Sequence, residues 1–150
     1  MKLQSLIFLA LCFTCSQASS AQDHALAVEQ CIAENSGAES AECLQKIFRK
    51  NKRNIANLEK AILRELKQKR RADDLGDAHY RLAVSSLKDS SKKFAAFSEQ
   101  QCDFATGASG AVASGGGQVR WSCLIRLGDW RIQYLRGILT QFSDASCRKG

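Results

Sequence analysis

From Ala41 to Arg71 the chain contains neither proline nor glycine, and Leu44, Ile47, Phe48, Ile55, Leu58, Ile62 and Leu66 recur at three- and four-residue spacing. That period is helical, so the stretch is expected to form one long amphipathic helix. A helix of this kind must bury its apolar stripe, and it needs partners. The 150-residue chain has no proline anywhere, so nothing of that kind interrupts a helix elsewhere.

The opposite face of the same stretch is basic. Lys46, Arg49, Arg53, Lys60, Arg64, Lys67 and Arg71 follow the helical period with Asn57 in the gap. At about 100° per residue they lie across the helix from Ile55, Leu58 and Ile62. Between Leu44 and Arg71 there are 11 basic residues against two acids, Glu59 and Glu65, a balance of +9 within a chain of formal net charge +7. A charge run is most often a solvated helix face. Its functional alternative is an anion-binding surface for phosphate-bearing glycan, lipid headgroups or an acidic protein. Nucleic acid is disfavoured, because the stripe has no interleaved aromatics on which bases could stack.

The first residues have the three-part form of a secretory signal: Lys2, the apolar run Leu6 to Phe13, and the small residues Ser19, Ser20 and Ala21. Cleavage is expected after about Ala21, and the run is too short to cross a bilayer. Cys12 and Cys15 fall inside this leader, and neither Leu11 nor Thr14 is the small residue that lipidation requires. Loss of the leader removes one cation, Lys2, leaving 21 basic residues against 15 acids, a net +6. The expected organisation is a leader over 1–21, one helical domain over 22–142 and a flexible tail over 143–150.

Export favours disulfides over thiol chemistry. The mature chain keeps Cys31, Cys43, Cys102, Cys123 and Cys147, an odd number, so one is left over. The pairs expected are Cys31 with Cys43 and Cys102 with Cys123, each local in sequence and each closing a loop that contains glycine; Cys147 remains. Closing the second loop removes about 3 kcal/mol of unfolded-chain entropy.

Around these staples the pattern predicts three further helices. A short one covers Asp23 to Ile32, and a turn cluster follows over Asn35 to Ser40. Ala72 to Gly76 ends the long helix, with Asp77 as the expected cap of a third helix from Ala78 to Cys102. Ser85, Ser86, Ser90 and Ser91 lower helix propensity in its middle. Thr106 to Gln118 has five glycines and no charge, which points to a flexible connector. A fourth helix covers Val119 to Phe142 and holds both tryptophans, Trp121 and Trp130, as expected core residues. The fold class is therefore all-α: a four-helix antiparallel bundle, or helical hairpins, with two local disulfides.

No parts of an active site are legible. HExxH, GxSxG and the P-loop ending GK[ST] are absent, His24 and His79 read as surface residues, and no His/Cys/Asp spacing suits zinc. No enzyme activity, cofactor or metal is expected.

The order of motifs resembles the lysozyme-inhibitor LprI-like N-terminal domain family of small exported bacterial helical proteins. The matching residues are the early pair Cys31 and Cys43, then Phe94, Phe97, Glu99 and Cys102, then Cys123, Arg131 and Leu135. Ser91, Phe94 and Ser98 stand where the family usually has Gln, Trp and Arg. The resemblance implies periplasmic or cell-surface residence and an ability to inhibit lysozyme by non-catalytic binding. Many lysozymes are cationic, so a basic protein needs a local apolar or acidic surface to meet one. Glu99, Asp103 and Asp129 flank the glycine-rich segment and are the acids expected there. The rival reading is an envelope-binding module whose basic helix holds anionic glycan or lipid.

Overall fold

The computed structural model describes the backbone of residues 19–111 and 114–147, and side chains over 25–111 and 115–143. It contains four helices: α1 (Ser19–Glu34), α2 (Gly37–Arg71), α3 (Asp77–Ala108) and α4 (Ser114–Cys147). The described residues form no strand. Short turns make each helix antiparallel to the next, so α2 and α4 run in the same direction. They form the main contact of the fold, with α3 laid against them. At 16 residues α1 is roughly 24 Å long against roughly 52 Å for the 35 residues of α2, and it covers only one end.

The apolar spacing of α2 is used along its whole length. Leu44 meets Ile125, Cys31 and Trp121 at one end, and Ile62 and Leu66 meet Leu135 and Ile138 at the other. Between Asn35 and Ser36 the chain turns faster than the expected cluster over Asn35 to Ser40, because α2 already begins at Gly37. Asn35 Nδ2 donates to the Cys31 carbonyl at 3.0 Å, and the Glu39 carboxylate accepts from the Ser36 N–H and hydroxyl in a capping box. These bonds hold the Glu39 carboxyl below its ordinary pKa, the Ser36 hydroxyl contributing most.

At the other end, Asp73 takes φ +59°, a left-handed conformation that Asp tolerates, and Arg70 Nε meets Asp77 Oδ1 at 2.6 Å across the turn. Gly76 occupies the N-cap position. Asp77, expected as the cap, is instead the first helical residue, where its charge suits the helix N-terminus. The serine-rich middle of α3 stays helical, with Ser85 and Ser90 donating to the Leu82 and Leu87 carbonyls one turn back.

Both expected disulfides are present, Cys31–Cys43 and Cys102–Cys123. The side chain of Cys147 and the leader as far as residue 18 lie outside the described residues, and α1 runs through the expected cleavage point after Ala21.

Two expectations fail. The connector over Thr106 to Gln118 shrinks to residues 109–113, since α3 continues to Ala108 and α4 starts at Ser114 with three glycines in its first turn. These glycines lie against neighbouring elements: a Cβ on Gly116 would stand 3.4 Å from Thr106 Cγ2, and one on Gly117 3.8 Å from Ala41 Cβ. Gln118 then donates to the fully buried Ser40 hydroxyl at 2.7 Å. The tail expected from Ser143 is likewise helical as far as Cys147.

Candidate functional site

The basic face of α2 faces solvent throughout: Lys46, Arg49, Arg53, Lys60, Arg64, Lys67 and Arg71 are all exposed. Ion pairs among the described residues join Arg70 to Asp77, Arg120 to Glu99 and Asp103, and Arg131 to Glu59, and none involves the seven. The stripe covers 25 residue steps, roughly 37 Å of helix surface. An array of uncompensated cations of that length attracts extended anions without selecting one geometry.

The three expected acids do not form one cluster. Glu99 and Asp103 stand one turn apart on α3 and both bind Arg120 of α4, with Asp103 Oδ1 2.8 Å from Arg120 Nε. That contact, chiefly with Asp103, raises the Arg120 pKa above its already high ordinary value. Asp129 lies nine residues further along α4 and accepts from Asn51 Nδ2 of α2 at 2.9 Å. It helps to join α2 to α4, whereas Glu99 and Asp103 remain on the surface.

From Phe94 to Val119 the sequence has no lysine or arginine, and its only charges are Glu99 and Asp103. Phe97 and Phe104, seven residues apart on α3, are 52% and 70% exposed. The stapled end of α3 thus exposes two aromatic rings beside two carboxylates that share Arg120, while the exposed face of α2 is basic.

Trp121 packs against Phe48 with ring centroids 5.3 Å apart, as expected of a core residue. Trp130 does not. It is 59% exposed, near-parallel to the exposed Tyr134 at 6.0 Å and 6.3 Å from Phe94. The hydrophobic positions of α4 that enter the core, Leu124, Ile125, Ile132 and Leu135, leave Trp130 on the outer side of the helix.

Polar groups that the sequence reading passed over lie inside the bundle. Arg131 is 5% exposed and its Nη2 donates to Glu59 Oε1 at 3.3 Å and to the Ser90 hydroxyl at 3.0 Å. Ser91 donates to the second Glu59 oxygen at 3.0 Å. Asn51 is 1% exposed, and its Nδ2 donates to the Ile125 carbonyl and to Asp129. Gly128 permits that approach, since a Cβ there would stand 3.2 Å from Asn51 Nδ2. The signal available in sequence was phase: Asn51 and Glu59 occupy positions of α2 where the apolar spacing calls for a hydrophobic residue.

Among the described residues no group of three or more His, Cys, Asp or Glu could hold a metal ion, and no helix is long and apolar enough to cross a membrane. The arrangement offers surfaces for binding: a basic face, an acidic and apolar end, and an aromatic row.

Comparison with known proteins adds one finding. No curated protein and no solved structure gives a significant match. A family model described as lysozyme inhibitor LprI matches residues 15–135. The matched span takes in both disulfides, the whole of α2 and α3, and α4 through the buried Arg131 and Leu135. The motifs noted in the sequence and the family model agree over most of the chain, which therefore belongs to the lysozyme inhibitor LprI family.

Proposed function

We propose that this chain is an exported inhibitor of lysozyme, acting by binding the enzyme and without catalysis. Family membership over residues 15–135 carries the proposal. The two disulfides are in keeping with an oxidising compartment such as the periplasm or the cell exterior. The partner surface we assign is the stapled end of α3, where Phe97 and Phe104 are exposed and Glu99 and Asp103 are the only charges of the segment. Exposed aromatics supply contact energy, and the two carboxylates, against the single Arg120 they share, leave a net negative charge to steer a cationic partner. Asp129 is the third candidate acid, and its bond to Asn51 leaves it a lesser part.

The test is hydrolysis of a short soluble oligosaccharide by lysozyme while the purified protein is titrated in. A cell-wall turbidity assay is unsuitable, because a basic protein protects the wall simply by coating it. Inhibition near stoichiometric protein is expected, weakened in the Glu99→Ala/Asp103→Ala double variant. No inhibition at large excess removes the reading, and inhibition unchanged in the double variant removes the assigned surface.

A second reading rests on the seven exposed, unpaired cations of α2: an envelope-binding module that holds anionic glycan or lipid. Charge reversal at Arg53, Lys60 and Arg64 should then abolish sedimentation with cell envelopes. Unchanged sedimentation would dismiss it.

A further inference from the structure

Along the seam of α2 and α3 the lining residues Ala56, Ser91, Ala95 and Ser98 are small. They leave a groove of about 260 Å³ with Phe48, Ile55 and Phe94 as walls and Leu124 of α4 as the floor. Ala56 and Ala95 are exposed, so the groove opens to solvent, and its accessible lining is mostly apolar. It follows α2 from Phe48 to Glu59, roughly 16 Å of helix. Spread over that length, the volume gives a cross-section of roughly 16 Å², far below that of an α-helix of about 10 Å diameter.

The polar groups of the lining are engaged, with one exception. Ser91 donates to Glu59, which also meets Arg131; Ser98 donates to the Phe94 carbonyl; and Glu99 meets Arg120. Asn51 donates to the Ile125 carbonyl and to Asp129, and its Oδ1 is fully buried and takes no part. Lys52 is the exception. It is exposed, makes no ion pair among the described residues, and holds its ammonium over the Phe48 ring, 5.7 Å from the centroid. The stretches 48–59 of α2 and 91–99 of α3 carry six basic residues, Arg49, Lys50, Lys52, Arg53, Lys92 and Lys93, against Glu59 and Glu99. One turn beyond, Asp103 shares Arg120 with Glu99, and Arg126 is exposed on α4. The local field is therefore positive.

We infer that this groove binds a medium-chain fatty acid, its alkyl chain along the apolar walls and its carboxylate at Lys52 Nζ. Apolar walls with one placed polar group are the usual composition of a small-ligand site. The head is anionic because the lining charge without a partner is a cation in a positive field. A helix is too wide for the groove, and an extended peptide would bring backbone N–H and C=O groups to walls that offer them no partners. Lys52 is not among the seven cations of the basic stripe, and the site depends on neither reading given above.

Decanoate and decyltrimethylammonium, both below their micelle-forming concentrations, are probes of equal chain length and opposite charge. In amide-resolved NMR titrations of the full chain at neutral pH, decanoate should give saturable shifts centred on Ala56, Ala95 and Gly128. Decyltrimethylammonium should bind about tenfold more weakly, because its head enters a field of its own sign. Lys52→Gln should weaken decanoate about threefold, the worth of an exposed ion pair. Ala95→Phe, at an exposed position on the groove wall, should abolish the shifts while leaving the helical spectrum intact. Should that variant fold poorly, Ala56→Phe fills the groove from α2 instead. Absence of saturable shifts, equal affinity for the two probes, or decanoate binding unchanged in Lys52→Gln would each overturn the inference. So would shifts centred on Arg53, Lys60 and Arg64, or shifts that survive a folded groove-filling variant.

Discussion

The two ends of the bundle are held together in different ways. At the α2–α3 turn, Ile62, Leu66 and Leu135 are surrounded by Leu58, Leu75, Tyr80, Val84 and Ile138, an apolar cluster with no disulfide among the described residues. At the opposite end two disulfides join α1 to α2 and α3 to α4, and the helices approach through glycines and small residues. Between the two ends lie the buried Asn51 and Arg131 and the partly buried Glu59. The stapled end has apolar clusters of its own, Leu44 with Ile125 and Leu124 with the Cys102–Cys123 pair, so the cross-links add to packing there. At the same end Phe97 and Phe104 face outward.

The largest expected effect lies in the polar middle. Glu59→Leu leaves the buried Arg131 guanidinium without its counter-charge, with the Ser90 hydroxyl as its remaining hydrogen-bond partner, and should destabilise by about 3–5 kcal/mol in denaturant unfolding. The Glu59→Leu/Arg131→Met double variant should recover most of it, since both charges leave together. If the double variant is as unstable as the single one, the pair is not what joins the two ends.

Next, Leu135→Ala should cost about 3 kcal/mol at the apolar end, where the side chain is fully buried. Hydrogen exchange should then quicken first around Ile62 and Leu66 and only later near Cys102. Uniform acceleration would mean that the ends unfold as one unit.

Cys102→Ala/Cys123→Ala should cost about 3 kcal/mol, for a pair 21 residues apart in sequence. Exchange should quicken here in the opposite order, the stapled end first. Losses confined to the α2–α3 end would reverse the comparison.

The smallest effect belongs to the capping box. The Glu39 carboxyl has a lowered folded-state pKa, so its contribution is present above the ordinary value of 4.5 and is lost as pH falls through the folded value. Glu39→Gln should therefore lower Tm slightly at neutral pH and leave no difference from the parent in strong acid. A gap that persists in acid would assign the effect to something other than the carboxylate's charge.

Much of this architecture was legible in order of residues. The period of Leu44 to Leu66 predicted α2 and its end at Arg71, and the local cysteine spacing predicted both disulfides. The glycine tract misled because propensity describes an isolated segment, whereas Gly115 to Gly117 belong to α4 and two of them lie against Thr106 and Ala41. Trp130 misled because a large aromatic at helical spacing reads as core, and only the rotation of α4 against α2 and α3 places it outside. Glu99 and Asp103 were legible as acids near a staple, but their shared Arg120 comes from 21 and 17 residues away.

The sequence by itself determined four helices, the staples and the basic face, because each follows from interactions within a few turns of chain or from a period that repeats along one helix. Only the tertiary structure decided the cavity, the polar middle and the division of acids. Asn51 and Asp129 are 78 residues apart, and Glu59 and Arg131 are 72 apart. No local preference selects such pairs. They form because the packing of α2 against α4 sets these groups against one another, and it leaves Asn51 Oδ1, Ser122 Oγ and Arg131 Nε without a hydrogen-bond partner.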